Sequence, residues 1–366
     1  MEKLTSGKFD PSMLARGKET PHPPQFTFGP DGTFSFLHCT DFHLEPANWA
    51  LEPIGEKVFR TAVERYRPSL VVLTGDQTTW SGGRARAANE RGRFEEALDP
   101  LIALLRELEL PFVVTFGNHE SEWQGPDFSS RQETYEYYKW NGGRFFVDHD
   151  VPSLSGSASG VVHIVRPGET KPSVNLFVMD SGDYKPRRYK ADGFVDVDGG
   201  YDAIRSDQIE WYEKTSGDVP CLWFQHIVVP DANVNGLFVP DDKSHVRMQI
   251  SEGGPEVPCR TAPGVAGWLG ERTHPASWET YRDANHTFEG RTLYQSWLKM
   301  KNLRGAYFGH DHKNNYDGVD RNGIRLGATK CASRWGYNDG NIGVRWFKLR
   351  ADGTYDTGMF MESHLK

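Results

Sequence analysis

Five short apolar stretches of this sequence each run directly into a polar motif that carries Asp, Asn or His. Stretches of this kind predict β-strands, and the first, residues 33–39, alternates polar and apolar residues as a half-buried strand does. Open α/β sheets bind their ligands just past the carboxyl ends of the strands. The repeated pattern therefore predicts a layered α/β core with one polar site. The motifs are Asp41-Phe42-His43, Gly75-Asp76, Gly117-Asn118-His119-Glu120, Gln225-His226 and Gly309-His310-Asp311-His312.

Helical periodicity lies between the first three predicted strands. Apolar residues recur at helical spacing from residue 54 to 66 and again from 94 to 108, which gives strand, helix, strand units. Residues 230–289 are rich in Gly, Pro, Asp and Asn and show little periodicity, so we predict a long irregular insertion there and expect it to form a rim over the site. We assign residues 1–32 to an N-terminal extension and residues 33–366 to a single domain.

Composition and charge narrow the possible partners. The chain has a formal net charge of −8 with both signs interspersed, so neither a basic face for nucleic acid nor a polybasic run for a membrane is predicted. The four cysteines are far apart and form no C-x-x-C pair, which argues against a structural zinc site or a disulfide scaffold. Neither a signal-peptide stretch nor a membrane-spanning run is visible. We therefore predict a cytoplasmic protein, or a secreted one if an export signal has been removed.

The five motifs together supply metal ligands. Side chains two residues apart on an extended segment share a face, so Asp41 and His43 should point the same way, as should His310 and His312. Mixed carboxylate, amide and imidazole ligands suit Mn, Fe or Zn ions. Two such ions would need a shared carboxylate, and Asp76 is the natural bridge. A hydroxide between the two ions would be a strong nucleophile at neutral pH.

The order and content of these motifs resemble the calcineurin-like metallophosphoesterases. The family signature is D-x-H, G-D, G-N-H-[DE], a His at a strand end and G-H-x-H, and all five blocks occur here in order between residues 34 and 312. Within that family the sequence is most similar to the branch related to purple acid phosphatases, through residues 223–226 and 308–312. The position at which true purple enzymes carry an iron-binding tyrosine is Thr79 here, which argues against a purple Fe³⁺ centre.

The resemblance implies a fold, a ligand set and a mechanism. The fold would be a four-layer α-β-β-α sandwich of two packed sheets flanked by helices. One metal ion would be held by Asp41, His43, Asp76 and His312, and the second by Asp76, Asn118, His226 and His310. His119 and Asp76 would be catalytic, with His119 facing the substrate. His119 would stabilise the transferring phosphoryl group and assist departure of the alkoxide.

We predict a metal-dependent phosphoesterase that hydrolyses a small-molecule phosphomonoester by in-line attack of a metal-bridging hydroxide. Asn118, His119, Arg334 and Tyr337 are candidate substrate-binding residues. A phosphodiesterase acting on cyclic nucleotides, glycerophosphodiesters or nucleic acid is the nearest alternative, and a non-catalytic scaffold with the same fold is the alternative from another class. A zincin site or a nucleophilic serine lacks its motif.

Several other polar residues have simpler interpretations. Asp311, between two predicted ligands, should point away from the metals and act structurally. Three histidines of the 230–289 segment are predicted to lie at the surface, and His149 is predicted to lie in a polar turn. The three histidines are His245, His274 and His286.

Overall fold

The computed structural model describes residues 23–45, 50–79, 97–122, 130–185, 188 and 200–365. Seven α-helices and fifteen strands lie along these residues. In chain order they are β1 (Gln25–Thr27), β2 (Thr33–Cys39), α1 (Pro53–Tyr66), β3 (Leu70–Thr74), α2 (Asp99–Glu107), β4 (Phe112–Thr115), α3 (Arg131–Gly142), β5 (Gly160–Val165), β6 (Pro172–Val178), α4 (Ser206–Ser216), β7 (Cys221–Gln225), α5 (Asp231–Val234), β8 (Phe238–Pro240), β9 (Arg247–Gln249), β10 (Glu256–Thr261), α6 (Trp278–Tyr281), α7 (Leu293–Met300), β11 (Leu303–Phe308), β12 (Asp317–Val319), β13 (Arg325–Ala328), β14 (Gly343–Arg350) and β15 (Tyr355–Met361).

Two large sheets form the centre of the fold. The first has the strand order β15-β14-β2-β3-β4, with β2, β3 and β4 parallel to one another. The second has the order β1-β5-β6-β7-β11-β13-β12, and its central strands β6, β7 and β11 are also parallel. Parallel neighbours end at the same edge of a sheet, so each sheet presents the loops of its central strands together.

Three hydrophobic clusters separate the layers. In β3, Leu70 and Val72 belong to the cluster between the two sheets, whereas Val71 and Leu73 face the cluster beneath α1, α2 and α3. The same alternation in β7 places Trp223 in a third cluster with α4 and α7. Because successive strand residues point to opposite faces, strands that are apolar throughout are buried on both sides. The order of layers is therefore α-β-β-α, which confirms the predicted fold class.

The first predicted helix is confirmed, and its sequence explains both of its ends. Glu52 is the N-cap, and its carboxylate accepts hydrogen bonds from the amides of Ile54 and Gly55 at 3.1 and 2.7 Å. The helix ends at Arg67, which adopts the left-handed conformation with φ of 44° ahead of a proline. The second predicted helix is observed as α2. Its predicted beginning at Phe94 lies outside the described residues.

The segment at 230–289 is more regular than predicted. It contains α5, α6 and a small antiparallel sheet of order β8-β10-β9. Its strands have only three to six residues, and β10 contains a proline, so their periodicity is too short to stand out in the sequence. The buried side chains of Phe238, Met248 and Cys259 join the cluster on the outer face of the second sheet. The insertion is thus packed onto the core.

The N-terminal boundary also differs from the prediction. Residues 1–22 lie outside the described residues, but β1 pairs with β5 in parallel at the edge of the second sheet, and Phe28 is buried. Residues 25–28 therefore belong to the layered core, although the sequence analysis assigns them to an extension. Among the described residues, no helix combines the length and the apolar character needed to cross a membrane.

Candidate metal centre

The five sequence motifs meet at one end of the molecule, where loops from both sheets converge. Strands β2, β3 and β4 of the first sheet and β7 and β11 of the second each run into one motif. The structure brings the ligand atoms into three overlapping groups, in each of which the atoms lie within 4.8 Å of one another. The groups are Asp41 with His43 and His312, His43 with Asp76 and His119, and Asp76 with His226 and His310.

Four of the ligand residues have a left-handed backbone conformation, whereas extended segments are predicted from the sequence. Asp41, His43, Asp76 and His310 have φ values of 57°, 49°, 50° and 73°. For residues with a β-carbon this conformation is uncommon, and it is concentrated at functional sites. His310 and His312 consequently enter different groups. The pair reaches one cluster, as predicted, but by a turn.

Asp41, His43 and His312 form the first group. His312 Nε2 lies 3.2 Å from Asp41 Oδ1 and 2.9 Å from His43 Nε2. His312 donates its Nδ1 proton to the Tyr337 carbonyl oxygen at 2.7 Å, so the neutral ring carries a lone pair on Nε2. That lone pair faces a carboxylate oxygen. A cation between them would turn this unfavourable contact into coordination, and a backbone bond on the remote ring nitrogen is typical of metal-binding histidines.

Asp76, His226 and His310 form the second group, with Asn118 beside them. His226 Nδ1 donates to the Thr74 carbonyl oxygen at 2.7 Å, so in the neutral ring the lone pair lies on Nε2, which faces Asp76 Oδ2 at 3.1 Å. Four buried atoms of the predicted ligands have no hydrogen-bond partner among the described residues, although buried polar atoms are nearly always paired. They are Asp41 Oδ1, Asn118 Oδ1, His226 Nε2 and His310 Nε2. Oxygen and nitrogen donors left open in this way fit a metal ion.

The electrostatics of the cluster favour lone pairs over protons at several of these atoms. Burial lowers the pKa of His43 to about 4 and that of His310 well below its usual value. Burial opposes ionisation of Asp76, but His226 and His119 outweigh burial and lower the pKa of that carboxyl. Asp41 behaves in the same way, with His312 as its strongest partner. Burial opposes protonation of His226 and His312, but Asp76 and Asp41 outweigh burial, which raises the pKa of His226 to about 9 and that of His312 above its usual value. Metal binding would therefore release a proton from each of these two rings, while His43 and His310 are neutral beforehand.

Two glycines and one glutamate hold the β3 and β4 loops against each other. A β-carbon on Gly75 would lie 2.0 Å from the Gly117 amide nitrogen, and one on Gly117 would lie 2.2 Å from Asp76 Oδ1. Glu120, which is 3% exposed, accepts from the amides of Asp76 at 3.0 Å, Gly117 at 2.8 Å and Gln77 at 2.7 Å. Its carboxylate therefore fixes the backbone of Asp76, the predicted bridging residue.

His119 lies beside the cluster and reaches solvent. Its side chain is 26% exposed, and its Nε2 is 3.6 Å from Asp76 Oδ2. Burial opposes protonation of this ring, but Asp76 and Glu122 outweigh burial and raise the pKa of His119 to about 10. A partly exposed, positively charged imidazole next to the ligands is well placed to face an anionic substrate.

Sequence reasoning missed two residues next to His119. The Glu122 carboxylate accepts from His119 Nδ1 at 2.5 Å and from the Tyr184 hydroxyl at 2.6 Å. The Tyr184 hydroxyl in turn accepts from Asn118 Nδ2 at 2.6 Å. The spacing of His119 and Glu122 could have revealed the first contact, because residues three apart in a helical turn are neighbours. Nothing in the sequence links Tyr184 to Asn118.

The insertion contributes one histidine to the vicinity of the centre. His274 donates from its backbone amide and its Nδ1 to Asp311 Oδ1, at 3.0 and 2.8 Å, and its ring lies 6.0 Å from that of His310. With 26% of its side chain exposed, it reaches solvent, as predicted for a surface residue, but part of its ring is buried against Asp311. Asp311 takes the predicted structural role. His245 is exposed, as predicted.

Two of the histidine predictions were wrong. His286 is 1% exposed and lies between the carboxylates of Asp202 and Asp283, at 2.8 and 2.7 Å, which explains how a polar ring is accommodated in the interior. His149 is 3% exposed and packs near the Tyr135 ring instead of lying in a polar turn. In both cases tertiary packing buries a residue whose sequence neighbours are polar.

The two candidate substrate contacts beyond the motifs have different surroundings. Tyr337 stacks on the His312 ring, with ring centres 4.0 Å apart, and remains 50% exposed, so it forms a wall beside the first group. Arg334 pairs with Glu362, with Nε 3.1 Å from Oε2. The expectation that Arg334 binds phosphate gains no support from this pairing.

Comparison with known proteins agrees with the fold, an α/β sandwich that carries a cluster of candidate metal ligands. Residues 34–314 match the Metallophos family, described as calcineurin-like phosphoesterase, so the chain belongs to the calcineurin-like phosphoesterase family. It is 30% identical over 152 residues to the uncharacterized protein C1020.05 of Schizosaccharomyces pombe (strain 972 / ATCC 24843). That match covers 41% of this chain and 24% of the relative, so the chain matches about a quarter of that protein's length.

A solved structure also resembles the chain. It is the crystal structure of a conserved uncharacterized protein, a predicted phosphoesterase, from Streptococcus pneumoniae TIGR4. The two are 8% identical, the match covers 89% of this chain and 98% of that one, and the TM-score is 0.27.

Proposed function

We propose that the protein is a metal-dependent phosphomonoesterase with a centre for two transition-metal ions, Mn, Fe or Zn. The observation that carries the proposal is the convergence of four buried ligand atoms from four different motifs, none of which has a hydrogen-bond partner in the described part of the chain. Family membership supports the choice of phosphate esters as substrates. We assign Asp41, His43, Asp76 and His312 to one ion and Asp76, Asn118, His226 and His310 to the other, with Asp76 shared.

When bound, the two ions supply Lewis acidity and activate water for attack on phosphorus. The residues of the chain orient and balance charge around that reaction. His119 provides a positive charge for the phosphoryl oxygens and a proton for the departing alkoxide, in keeping with its partial exposure. Tyr337 forms one wall of the approach beside His312.

Two histidines near the centre, His274 and His119, favour a dianionic monoester. Burial opposes protonation of His274, but its bond to Asp311 raises its pKa above the usual value, as Glu122 and Asp76 do for His119. His274 belongs to the segment at 230–289, and we propose that this segment is a rim that shapes substrate choice. Thr79 has no phenol to offer a metal, and within a branch related to purple acid phosphatases it favours a colourless centre.

The test is the turnover of 4-nitrophenyl phosphate and bis(4-nitrophenyl) phosphate by Mn²⁺-reconstituted protein. Chelated protein and the Asp76→Asn variant should lose monoester hydrolysis by at least about 100-fold, because they lose the ion or its shared ligand. Asp150→Asn, a substitution of another buried aspartate outside the cluster, should keep it. A preference for the diester would identify a phosphodiesterase instead. No hydrolysis of either ester by protein with bound metal would favour the scaffold.

A further inference from the structure

Glu122 and Tyr184 form a short chain of hydrogen bonds that touches both a proposed metal ligand and the proposed catalytic histidine. We propose that Glu122, through Tyr184, is a positioning residue that dictates which atom Asn118 and His119 each present to the centre. The inference rests on the proposed function for the role of His119, but the part that concerns Asn118 can be tested by metal binding alone.

The direction of every bond in this chain follows from one fact, which is that a carboxylate only accepts. Glu122 Oε1 is 2.6 Å from the Tyr184 hydroxyl, so the single hydroxyl proton is donated to Glu122. Tyr184 can then only accept from its other neighbour, Asn118, 2.6 Å away. The Asn118 amide must therefore turn its NH₂ group to Tyr184 and its oxygen away. That oxygen is one of the four buried atoms without a hydrogen-bond partner among the described residues.

The second carboxylate oxygen orients His119. Glu122 Oε2 accepts from His119 Nδ1 at 2.5 Å, so this nitrogen carries a proton and Nε2 is the atom turned toward Asp76. Thr79 Oγ1 also approaches Nδ1, but at 3.4 Å, so Glu122 is much the closer partner. One carboxylate thus sets the orientation of an amide and of an imidazole at the same time.

Glu122 and Tyr184 are held firmly enough to orient their neighbours. The Glu122 side chain is 12% exposed and Tyr184 is 3% exposed, so water has little access to replace either partner. Tyr184 is bridged by backbone to Tyr201, and the Lys185 amide donates to the Gly200 carbonyl oxygen at 2.9 Å. The Tyr201 ring packs edge-on against His310, with centres 4.3 Å apart. Tyr184 therefore approaches Asn118 from a second element that is itself in contact with the cluster.

Two substitutions separate the orientation of Asn118 from the orientation of His119. Tyr184→Phe removes the acceptor for Asn118 and leaves the bond between Glu122 and His119 intact. Glu122→Gln keeps the shape but has only one acceptor oxygen, so it must present NH₂ either to Tyr184 or to His119. In the first case the Asn118 amide turns its NH₂ group to the metals, and in the second His119 loses the acceptor for its Nδ1 proton, so its charged form is disfavoured. Either outcome removes the bond that orients one of the two residues, Asn118 or His119.

The matched control is Tyr212→Phe. Tyr212 is also a buried tyrosine that bonds to an asparagine, Asn302 Oδ1 at 2.8 Å, but it belongs to the cluster on the outer face of the second sheet. It reports the cost of deleting such a hydroxyl without touching the metal centre.

The experiment titrates chelator-treated protein with Mn²⁺, follows free Mn²⁺ by electron paramagnetic resonance, and then measures kcat and KM for 4-nitrophenyl phosphate at saturating Mn²⁺. Tyr184→Phe should weaken one Mn²⁺ site about 10-fold or more, as loss of an orienting partner does. Glu122→Gln should either do the same or lower kcat about 10-fold or more with KM little changed. Tyr212→Phe should match the wild type in both measurements.

If Tyr184→Phe binds Mn²⁺ with wild-type affinity, Tyr184 does not orient Asn118. If Glu122→Gln keeps both the wild-type affinity and the wild-type kcat, Glu122 does not position either residue. If the wild type binds Mn²⁺ but hydrolyses no ester, the proposed function fails, whereas the difference in affinity between Tyr184→Phe and Tyr212→Phe still decides the inference.

Discussion

Glu120 offers the most direct test of how the site is held together, because one buried carboxylate serves two loops. Its two oxygens accept from the amides of Asp76, Gly117 and Gln77. In a Glu120→Gln variant only one oxygen remains. If this oxygen keeps the bonds to Asp76 and Gly117, the new NH₂ group faces the Gln77 amide, and two buried donors confront each other. Each unsatisfied donor costs about 1–3 kcal/mol, so for two donors we expect a loss of about 2–6 kcal/mol in the free energy of unfolding.

The assay is urea unfolding of chelator-treated protein, which removes any contribution of bound metal. Glu133→Gln is the control, since Glu133 also accepts from a backbone amide, that of Ser130 at 2.8 Å, but through one oxygen and in a partly exposed capping box. The glutamine oxygen can keep that bond, so the loss should stay under about 1 kcal/mol. Equal shifts of the urea midpoint in the two variants would refute the reasoning, because the three amides would then not depend on Glu120.

Three further predictions concern other parts of the chain. Burial lowers the pKa of His149 to about 4, so as the pH falls below about 6.5 the unfolded chain binds a proton on this histidine before the folded chain does. The folded protein should therefore lose up to about 3 kcal/mol of stability between pH 6.5 and pH 4. The urea midpoint of His149→Gln should fall less steeply than that of the wild type over this range. Burial raises the pKa of Asp150 to about 6, so the contribution of its neutral carboxyl to folding stability is complete below about pH 4 and is lost as the pH rises through 6. Asp150→Asn should therefore raise the urea midpoint at pH 8 but hardly at pH 4. An equal gain at both pH values would contradict this reasoning. His274→Ala removes the ring and its Nδ1 donor to Asp311 but keeps the backbone donor, so KM for the monoester should rise several-fold while Mn²⁺ affinity changes little. An unchanged KM would count against a rim that contacts substrate.

The sequence carried enough information to predict the layers and the neighbourhood of the motifs. Strand and helix periodicity marks the central elements, and strands that are buried on both faces have to lie between two other layers. Polar residues at the ends of such strands must then meet at one edge, as Asp41, Asp76 and His226 do. These inferences need only local pattern and the rule that parallel strands end together.

The remaining features depend on contacts between distant segments, which local pattern does not encode. Tyr184 bonds to Asn118 across 66 residues, and His274 reaches Asp311 across 37 residues. His286 is buried because Asp202, far away in the chain, supplies its partner. The short strands of the insertion pack on the core although their own sequence is weakly periodic. In each case the decisive partner is supplied by tertiary approach.

Three carboxylates lie in or next to the motifs but are not assigned as ligands, and one physical property that they share explains their positions. Glu120, Glu122 and Asp311 stand between or just after proposed ligands, and each accepts hydrogen bonds from donors on another segment. An acceptor that cannot donate fixes the direction of every bond made to it, whereas an amide or a hydroxyl could turn either way. Ligand atoms need their lone pairs aimed inward, so a site built from amides and imidazoles requires such fixed acceptors around it. The intervening letters of the motifs are therefore as constrained as the ligands themselves.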